Sequence, residues 1–149
     1  MTTYYKFRIG EIMAQLNPYL GFNGNCREAM EFYKSVLGGE LTMQTMGESP
    51  MAAGMPPEQH NNILHSQLQN EHLILMGSDM GGESTEKGGE KLSLCMVCES
   101  KEEIERLFAA LSEGGNVEHP LKEEFFGTFG DFRDKYGFRW MFQYSPEKK

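Results

Sequence analysis

The last strand-like segment of the chain carries side chains that could bind a ligand. After a turn at residues 134–137 ("DKYG"), Arg139, Met141 and Gln143 alternate with four aromatic residues. Side chains that alternate along a strand point to opposite faces of the sheet. The pattern therefore predicts a β-hairpin with one apolar core face and one face that presents a cation, a thioether and an amide.

Residues 62–69 ("NILHSQLQ") contain two further candidates. We predict that Leu64 and Leu68 face the helices, which turns His65 and Gln67 to the opposite side of the strand. An imidazole titrates near neutral pH, which would suit acid–base chemistry at His65. A hydrogen-bonded strand histidine without a catalytic role is the simpler interpretation.

Arg139 has two interpretations that the sequence leaves open. Its guanidinium could bind an anionic ligand, or it could pair with Asp131 or Asp134 across the hairpin. Arg133, on the other side of the turn, is a further candidate for the polar face. The remaining histidines show no spacing that relates them to other catalytic groups: His60, His72 and His119.

The cysteines favour a reducing compartment. The chain has three, an odd number, and Cys95 and Cys98 form a CxxC pair. Such a pair could serve redox or zinc chemistry. It lies in an apolar strand-like run, however, and no second CxxC or histidine pair accompanies it. We therefore predict buried strand cysteines.

Charge and hydropathy narrow the classes of function. The chain has 149 residues, enough for one domain with a substantial core, and 22 acidic against 14 basic side chains give a formal charge of −8. No Lys/Arg cluster with interleaved aromatics is present, which argues against nucleic-acid binding. No apolar run could span a bilayer, and no signal-peptide pattern opens the chain. We expect a cytoplasmic protein with neither a membrane nor a nucleic-acid partner.

Two segments with the same order of elements predict the fold. Asn25 and Ser100 are good N-cap residues, a glutamate follows each of them three positions later, and a Gly-Gly pair ends each amphipathic helical stripe. One strand-like run precedes each helix and three follow it. The sequence thus predicts an α+β fold of two βαβββ modules, at about residues 16–80 and 90–145, within a single domain of residues 13–149.

Three segments fall outside this pattern. Residues 1–12 precede an internal Met13, which we interpret as the natural start after a leader or a disordered arm. Residues 47–61, rich in Met, Pro and Gly, could form a lid over a cavity or a disordered hairpin connection. Residues 77–90 are Gly-rich and polar, as in a flexible linker.

The segments "YLGFNGNCREAMEFYKSVLGG", "HSQLQNEHLILMGSD" and "DKYGFRWMF" resemble the vicinal oxygen chelate superfamily, which includes glyoxalase I and the bleomycin- and fosfomycin-resistance proteins. They look most like its PhnB-like branch, often labelled 3-demethylubiquinone-9 3-methyltransferase. The resemblance covers about residues 16–145, and it departs from many relatives at residues 125–126, where they carry a tryptophan. It implies curled mixed sheets around a concave cavity, helices outside, and a homodimer with its site at or near the interface.

The resemblance also implies four inward positions that can hold a divalent metal. They fall near Pro18, near Leu75, near Leu92 or Ser93, and on Met141. Because proline, leucine and methionine do not provide ligands for such a metal, we expect no metal there and no other cofactor. The same alignment gives eight candidate ligand-binding residues around the cavity: Leu20, Phe22, His65, Gln67, Arg133, Arg139, Met141 and Gln143.

Three functions follow as alternatives. The first is a metal-free protein that binds or sequesters a small, partly aromatic or anionic molecule, as resistance proteins of the superfamily do. The second is a metal-dependent lyase, isomerase or dioxygenase with a relocated site, for instance at His65. The third is the methyltransferase of the branch label, although the Gly-rich turn of a Rossmann-type methyltransferase does not appear in the sequence. The sequence assigns no catalytic residue.

Overall fold

The computed structural model describes residues 17–80, 92–124 and 127–146, and it contains two modules with the same order of elements. The first module comprises β1 (Tyr19–Gly21), α1 (Cys26–Leu37), β2 (Glu40–Thr45), β3 (Ile63–Gln69) and β4 (Ile74–Ser78). The second comprises β5 (Leu94–Val97), α2 (Lys101–Ser112), β6 (Asn116–Glu124), β7 (Gly127–Arg133) and β8 (Arg139–Tyr144). The predicted α+β fold of two βαβββ modules is confirmed.

Each module forms one four-stranded mixed sheet. Sheet 1 has the strand order β1-β4-β3-β2, and sheet 2 has the order β5-β8-β7-β6. In both sheets the first strand of the module runs parallel to the last, and the other neighbours are antiparallel. The two modules therefore have the same topology as well as the same order of elements.

One hydrophobic core joins the two modules. The helix α1 packs on sheet 1, and α2 packs on sheet 2, where the Phe108 and Phe132 rings meet edge-on at 4.9 Å. Tyr33 of α1 reaches the second module: its ring lies 5.9 Å from that of Trp140, and its hydroxyl donates to Asp134 Oδ2 at 2.6 Å. The helix-covered faces of both sheets thus share one core.

Neither described helix, α1 nor α2, has the length and apolar character of a membrane-spanning helix.

The two helices begin with different caps. Ser100 caps α2 as predicted, because its Oγ accepts a hydrogen bond of 3.0 Å from the backbone N–H three residues later. At α1 the Asn25 side chain makes no capping bond. Instead, Asp79 accepts from the N–H groups of Gly24 at 2.7 Å and Cys26 at 3.0 Å. A carboxylate that follows β4 replaces the predicted local cap.

The β7–β8 hairpin has its turn at the predicted residues. The N–H of Asp134 donates to the Phe138 carbonyl at 2.8 Å, and Gly137 adopts a φ of 95°, which favours glycine. Trp140 and Phe142 are 3% and 0% exposed, so the predicted apolar face of β8 is core.

An extra residue in β3 changes one prediction. Gln44 pairs with His65, but the next residue, Thr45, pairs with Ile63, so Leu64 forms a bulge. Ile63 is fully buried in the core, of which Leu64 is not a member. The prediction that Leu64 faces the helices is therefore wrong, whereas Leu68 is buried in the core as predicted.

The Met-rich connection between β2 and β3 is folded. Nε2 of His60 lies 3.1 Å from the Ala52 carbonyl and 3.2 Å from the Met55 carbonyl, which ties the connection together. Of the two alternatives for this segment, a disordered connection does not match the structure, which has three short 3₁₀ helices: Met46–Glu48, Pro50–Gly54 and Pro57–Gln59. The lid stays a prediction. The predicted leader of residues 1–12 and most of the predicted linker of residues 77–90 lie outside the described residues.

Candidate functional site

Each sheet has one face that points away from the helices, which we call its open face. On sheet 1, a side chain added at Gly77 would meet Met30 of α1, so the adjacent Met76 points to the open face. On sheet 2, two core aromatics flank Met141, which therefore points to the open face, as the alternation in β8 predicts. The site residues can be located relative to these two faces.

The open face of sheet 1 carries His65 and Gln67. Met76 pairs with Gln67 on one side and with Tyr19 on the other. The Tyr19 hydroxyl lies 2.8 Å from His65 Nδ1, and burial raises the pKa of the Tyr19 phenol, so the phenol keeps its proton and can donate to the imidazole. The face presents an imidazole, a phenol and an amide beside a thioether, and a ligand-binding role for these groups stays a prediction.

The open face of sheet 2 carries Arg139, Met141 and Gln143. Arg139 donates from Nη2 to Asp131 Oδ2 at 2.7 Å and from Nη1 to Ser93 Oγ at 2.7 Å. Of the two interpretations of Arg139, the structure shows the pairing with Asp131. Because a buried carboxylate already matches its charge, Arg139 is a weak candidate for binding an anion.

Arg133 lies at the turn end of β7, opposite Arg139 in the register. Its Nη1 donates to the Gly137 carbonyl at 2.9 Å, which ties the guanidinium to the hairpin turn. This contact stabilises the turn. A ligand-binding role for Arg133 stays a prediction.

The structure places Leu20 and Phe22 away from the open face. They are 6% and 3% exposed, and both belong to the core. Leu20 pairs with Gly77, and a side chain at Gly77 would lie 3.1 Å from the Phe22 ring, so all three are on the face that α1 covers. The prediction that Leu20 and Phe22 face the cavity is wrong, because their alternating apolar side chains are buried against the helix.

Burial against the helix also affects two of the implied metal positions, where the open-face side chain belongs to the next residue. Leu75 is 4% exposed in the core, so Met76 is its open-face neighbour in β4. Pro18 precedes β1, whose open-face residue is Tyr19. The open-face residues near these two positions are therefore Tyr19 and Met76.

The residues at the corrected positions do not fit the superfamily metal. At these positions the open faces offer Tyr19 on β1, Met76 on β4, Ser93 just before β5 and Met141 on β8. A phenol, a hydroxyl and two thioethers are not the His, Asp, Glu or Cys ligands that a hard or borderline divalent metal requires. Within the described ranges no group of three or more His, Cys, Asp or Glu side chains could hold a metal ion.

The cysteines divide between core and surface. Cys26 and Cys98 are buried, as predicted for Cys98, whereas Cys95 is exposed, so its predicted burial is wrong. Burial raises the pKa of the Cys26 and Cys98 thiols to about 11, so both stay protonated near neutral pH.

Sequence reasoning missed the partner of His119. Its Nδ1 lies 2.9 Å from Asp131 Oδ1, on the open face of sheet 2. In the structure His119 pairs with Asp131. The β6–β7 register shifts on both sides of His119, so a regular hairpin counted from the turn would not have predicted this pairing. The only local signal was Pro120, which cannot donate a ladder hydrogen bond and is typical of an irregular edge strand.

Two cavities lie at the junction of the modules, away from the predicted site residues. A cavity of about 540 Å³ extends from Asn17 to Trp140, and one of about 200 Å³ lies between Leu37 and Arg106. Met96 lines both. None of the eight predicted site residues lines either cavity, although Ser93, Cys95 and Val97 from the open face of sheet 2 line the larger one, so the junction is a second location for a small molecule.

Comparison with solved structures identifies the fold. The fosfomycin resistance protein FosX from Listeria monocytogenes is 9% identical, with a TM-score of 0.62 and coverage of 91% of this chain and 95% of that chain. Structures titled as glyoxalase-related and glyoxalase/bleomycin resistance proteins are similar as well. At such identities the likeness shows the fold alone, which the chain shares with these glyoxalase-related and resistance proteins.

The chain belongs to the 3-demethylubiquinone-9 3-methyltransferase family, the PhnB-like branch, whose model matches residues 14–143. Protein PA1353 from Pseudomonas aeruginosa is 40% identical, with a TM-score of 0.76 and coverage of 89% of this chain and 98% of that chain. Protein YjdN of Escherichia coli (strain K12) is 31% identical over 138 residues, which are 85% of this chain and 92% of YjdN. The predicted family membership is confirmed.

Proposed function

We propose that the chain is a small-molecule-binding protein of the glyoxalase/bleomycin-resistance type, and that it binds its ligand on the open faces without the superfamily metal. The observation that carries the proposal is the pairing of polar groups with thioethers on both faces. Tyr19 and His65 lie beside Met76 on sheet 1, and Asp131 and Arg139 lie beside Met141 on sheet 2. Polar groups fix a ligand's orientation, and methionine adapts to its apolar surface.

The shared core supports a site formed by two copies of the chain. Both sheets turn their helix-covered faces to the same core, so their open faces point away from it. Tyr19 and Val97, on the two open faces, are 52% and 67% exposed. Within one copy the open faces of sheet 1 and sheet 2 cannot enclose the same ligand. We therefore propose a homodimer, in which the open face of sheet 1 of one copy meets the open face of sheet 2 of the other.

Methyl transfer, which the family description names, is not part of this proposal. The described sheets are four-stranded and mixed, with helices on one face. A Rossmann-type methyltransferase uses an open, mostly parallel sheet with helices on both faces and a Gly-rich turn after its first strand. A metal-dependent reaction is not proposed either, because within the described residues no group of three or more His, Cys, Asp or Glu side chains could hold a metal ion.

A thermal-shift screen tests the proposal. Neutral and anionic aromatic compounds are added to wild-type protein in EDTA, since a ligand that binds only the native state raises the melting temperature. Stabilising compounds are then titrated against His65→Gln and Gln143→Ala, with Lys34→Ala on the exposed surface of α1 as the matched control. We expect each open-face variant to lose about tenfold in affinity and the control to lose less than twofold. Stabilisation that persists unchanged in both open-face variants would contradict the proposal.

A further inference from the structure

Four side chains on the open face of sheet 2 form a continuous hydrogen-bonded array across the sheet. Ser93 Oγ lies 2.7 Å from Arg139 Nη1, and Arg139 Nη2 lies 2.7 Å from Asp131 Oδ2. Asp131 Oδ1 lies 2.9 Å from His119 Nδ1. The array begins just before β5 and crosses β8 and β7 to β6, and the last three strands each provide one member.

Asp131 is the buried anchor of the array. It is only 2% exposed, and its two oxygens have different partners, so the carboxylate cannot rotate without breaking a charge-assisted hydrogen bond. An ionised carboxylate accepts a hydrogen from Nδ1 of a neutral imidazole, and this leaves a lone pair on Nε2 of His119.

His119 differs from the other three histidines, all of which lie in the described part of the chain. His60 contacts backbone carbonyls, His65 contacts a phenol, and His72 lies beside the exposed Glu71. The His119 side chain is 70% exposed, while that of Asp131 is 3% exposed. A mostly exposed imidazole whose Nδ1 contacts a buried carboxylate is the arrangement of a general base.

Charges around the array favour a neutral substrate. Arg139 pairs with Asp131, and its Nε lies 3.8 Å from Glu118 Oε1, so two carboxylates surround one guanidinium. This excess of negative charge opposes an anionic molecule. Met141 pairs with Asp131 in the register and provides an apolar surface on the same face. The surroundings suit a neutral molecule with an apolar part.

We propose that His119 is a general base that removes a proton from a neutral carbon acid on the open face of sheet 2, with Asp131 and Arg139 as positioning residues. The inference rests on the proposed function, because it requires this face to receive a ligand. In the step, Nε2 binds the proton as the C–H bond breaks, and the electron pair of that bond moves into the electron-withdrawing group of the substrate. Nε2 then returns the proton to the product or to water.

Base catalysis can be measured with 5-nitrobenzisoxazole as the probe. Removal of its ring C–H proton breaks the N–O bond: the C–H electron pair completes a nitrile, and the N–O pair stays on oxygen as a coloured phenolate. We expect His119→Gln to lower the protein-dependent rate at least about tenfold, since positioned bases contribute about that much or more. The control His72→Gln, which removes another exposed histidine, changes the rate by less than twofold. Equal rates for wild type and His119→Gln would overturn the proposal.

The positioning role of Asp131 has its own spectroscopic test. Ring ¹⁵N NMR distinguishes the two neutral tautomers of an imidazole. We expect His119 to carry its proton on Nδ1 in the wild type and to shift toward the Nε2-protonated tautomer in Asp131→Asn, with a lower probe rate. A wild-type His119 protonated on Nε2 would overturn the assignment of Nε2 as the base.

The two proposals fail in different ways. If screened compounds bind the open faces but the probe rate does not depend on His119, only the general-base inference fails. If the probe rate depends on His119 while every bound compound is insensitive to His65→Gln and Gln143→Ala, the proposed function fails and the base assignment stands.

Discussion

Asp134 shows how one buried side chain can hold two modules together. It is 3% exposed, and its two oxygens accept from the Tyr33 hydroxyl at 2.6 Å, the Trp140 indole at 2.8 Å and two backbone N–H groups of the turn at 2.9 and 3.0 Å. Tyr33 belongs to the first module and the other donors to the second. The pKa of Tyr33 is raised by burial and by this carboxylate, so the hydroxyl remains a donor.

Asp134→Asn should destabilise the protein strongly. An amide presents N–H groups to two of the four donors, and each buried donor left without an acceptor costs about 1–3 kcal/mol. We therefore expect the free energy of unfolding, measured with urea, to fall by about 3 kcal/mol. The control Tyr33→Phe removes one donor and should cost about 1 kcal/mol. An Asp134→Asn variant as stable as the wild type would contradict this account.

The buried thiols should respond to alkaline pH. Cys26 and Cys98 have pKa values raised to about 11 from 9.0 by burial, so the folded state favours the neutral thiols. The stability that they contribute is complete below pH 9 and is lost as the pH rises toward about 11. At pH 8 we expect iodoacetamide to alkylate the exposed Cys95 and to leave both buried thiols unmodified in the native protein.

Peptide mass spectrometry checks this labelling pattern, with urea-denatured protein as the control in which all three cysteines react. Alkylation of Cys26 as fast as that of Cys95 in native protein at pH 8 would show that its burial is wrong.

At the scale of elements, the start of α1 depends on a residue that is distant in the sequence. Asp79 accepts from two N–H groups near the helix start, and its other oxygen accepts from Ile63 N at 2.7 Å, so it links α1, β3 and the end of β4. We expect Asp79→Ala to lower the free energy of unfolding by about 2–3 kcal/mol, because a cap and a buried acceptor are lost together.

Asn25→Ala is the matched control, since Asn25 occupies the cap position but makes no capping bond. It should change the free energy of unfolding by less than about 0.5 kcal/mol in the same urea experiment. A larger loss for Asn25→Ala than for Asp79→Ala would contradict the assignment of the cap.

The elements themselves could be predicted from local patterns. Helical stripes, Ser100 and the Gly-Gly pairs define both helices, and Gly38 and Gly114 adopt φ values of 76° and 81° at their ends. Alternation in β8 located Arg139, Met141 and Gln143 on the open face, because that strand is regular.

The remaining site geometry depends on features that local patterns do not encode. The bulge at Leu64 and the register shifts around Pro120 are set by the fit between strands, and they decide which residues lie opposite each other. The error at Leu20 has another cause. Strand β1 has only three residues, so the alternation of side chains was too short to show which of them face the helix.

At the scale of the whole molecule, the shared core leads us to expect a dimer. Light scattering after size-exclusion chromatography should give twice the mass of the chain. Val97→Glu, which adds a charge to an exposed open-face residue of the edge strand β5, should yield monomers, because it buries a charge at the interface. Lys34→Glu on the exposed surface of α1 should remain dimeric. A monomeric wild type at high concentration would contradict the two-copy site.

The most direct measurement of the central claim is a methyl NMR spectrum of ¹³C-methionine-labelled protein with a compound from the screen, in EDTA. Met76 and Met141 lie on the two open faces, while Met30 is buried in the core and Met96 lines both junction cavities. We predict that the compound shifts the Met76 and Met141 resonances and leaves those of Met30 and Met96 unchanged. A shift of Met96 with Met76 and Met141 unchanged would place the ligand at the junction and contradict the account.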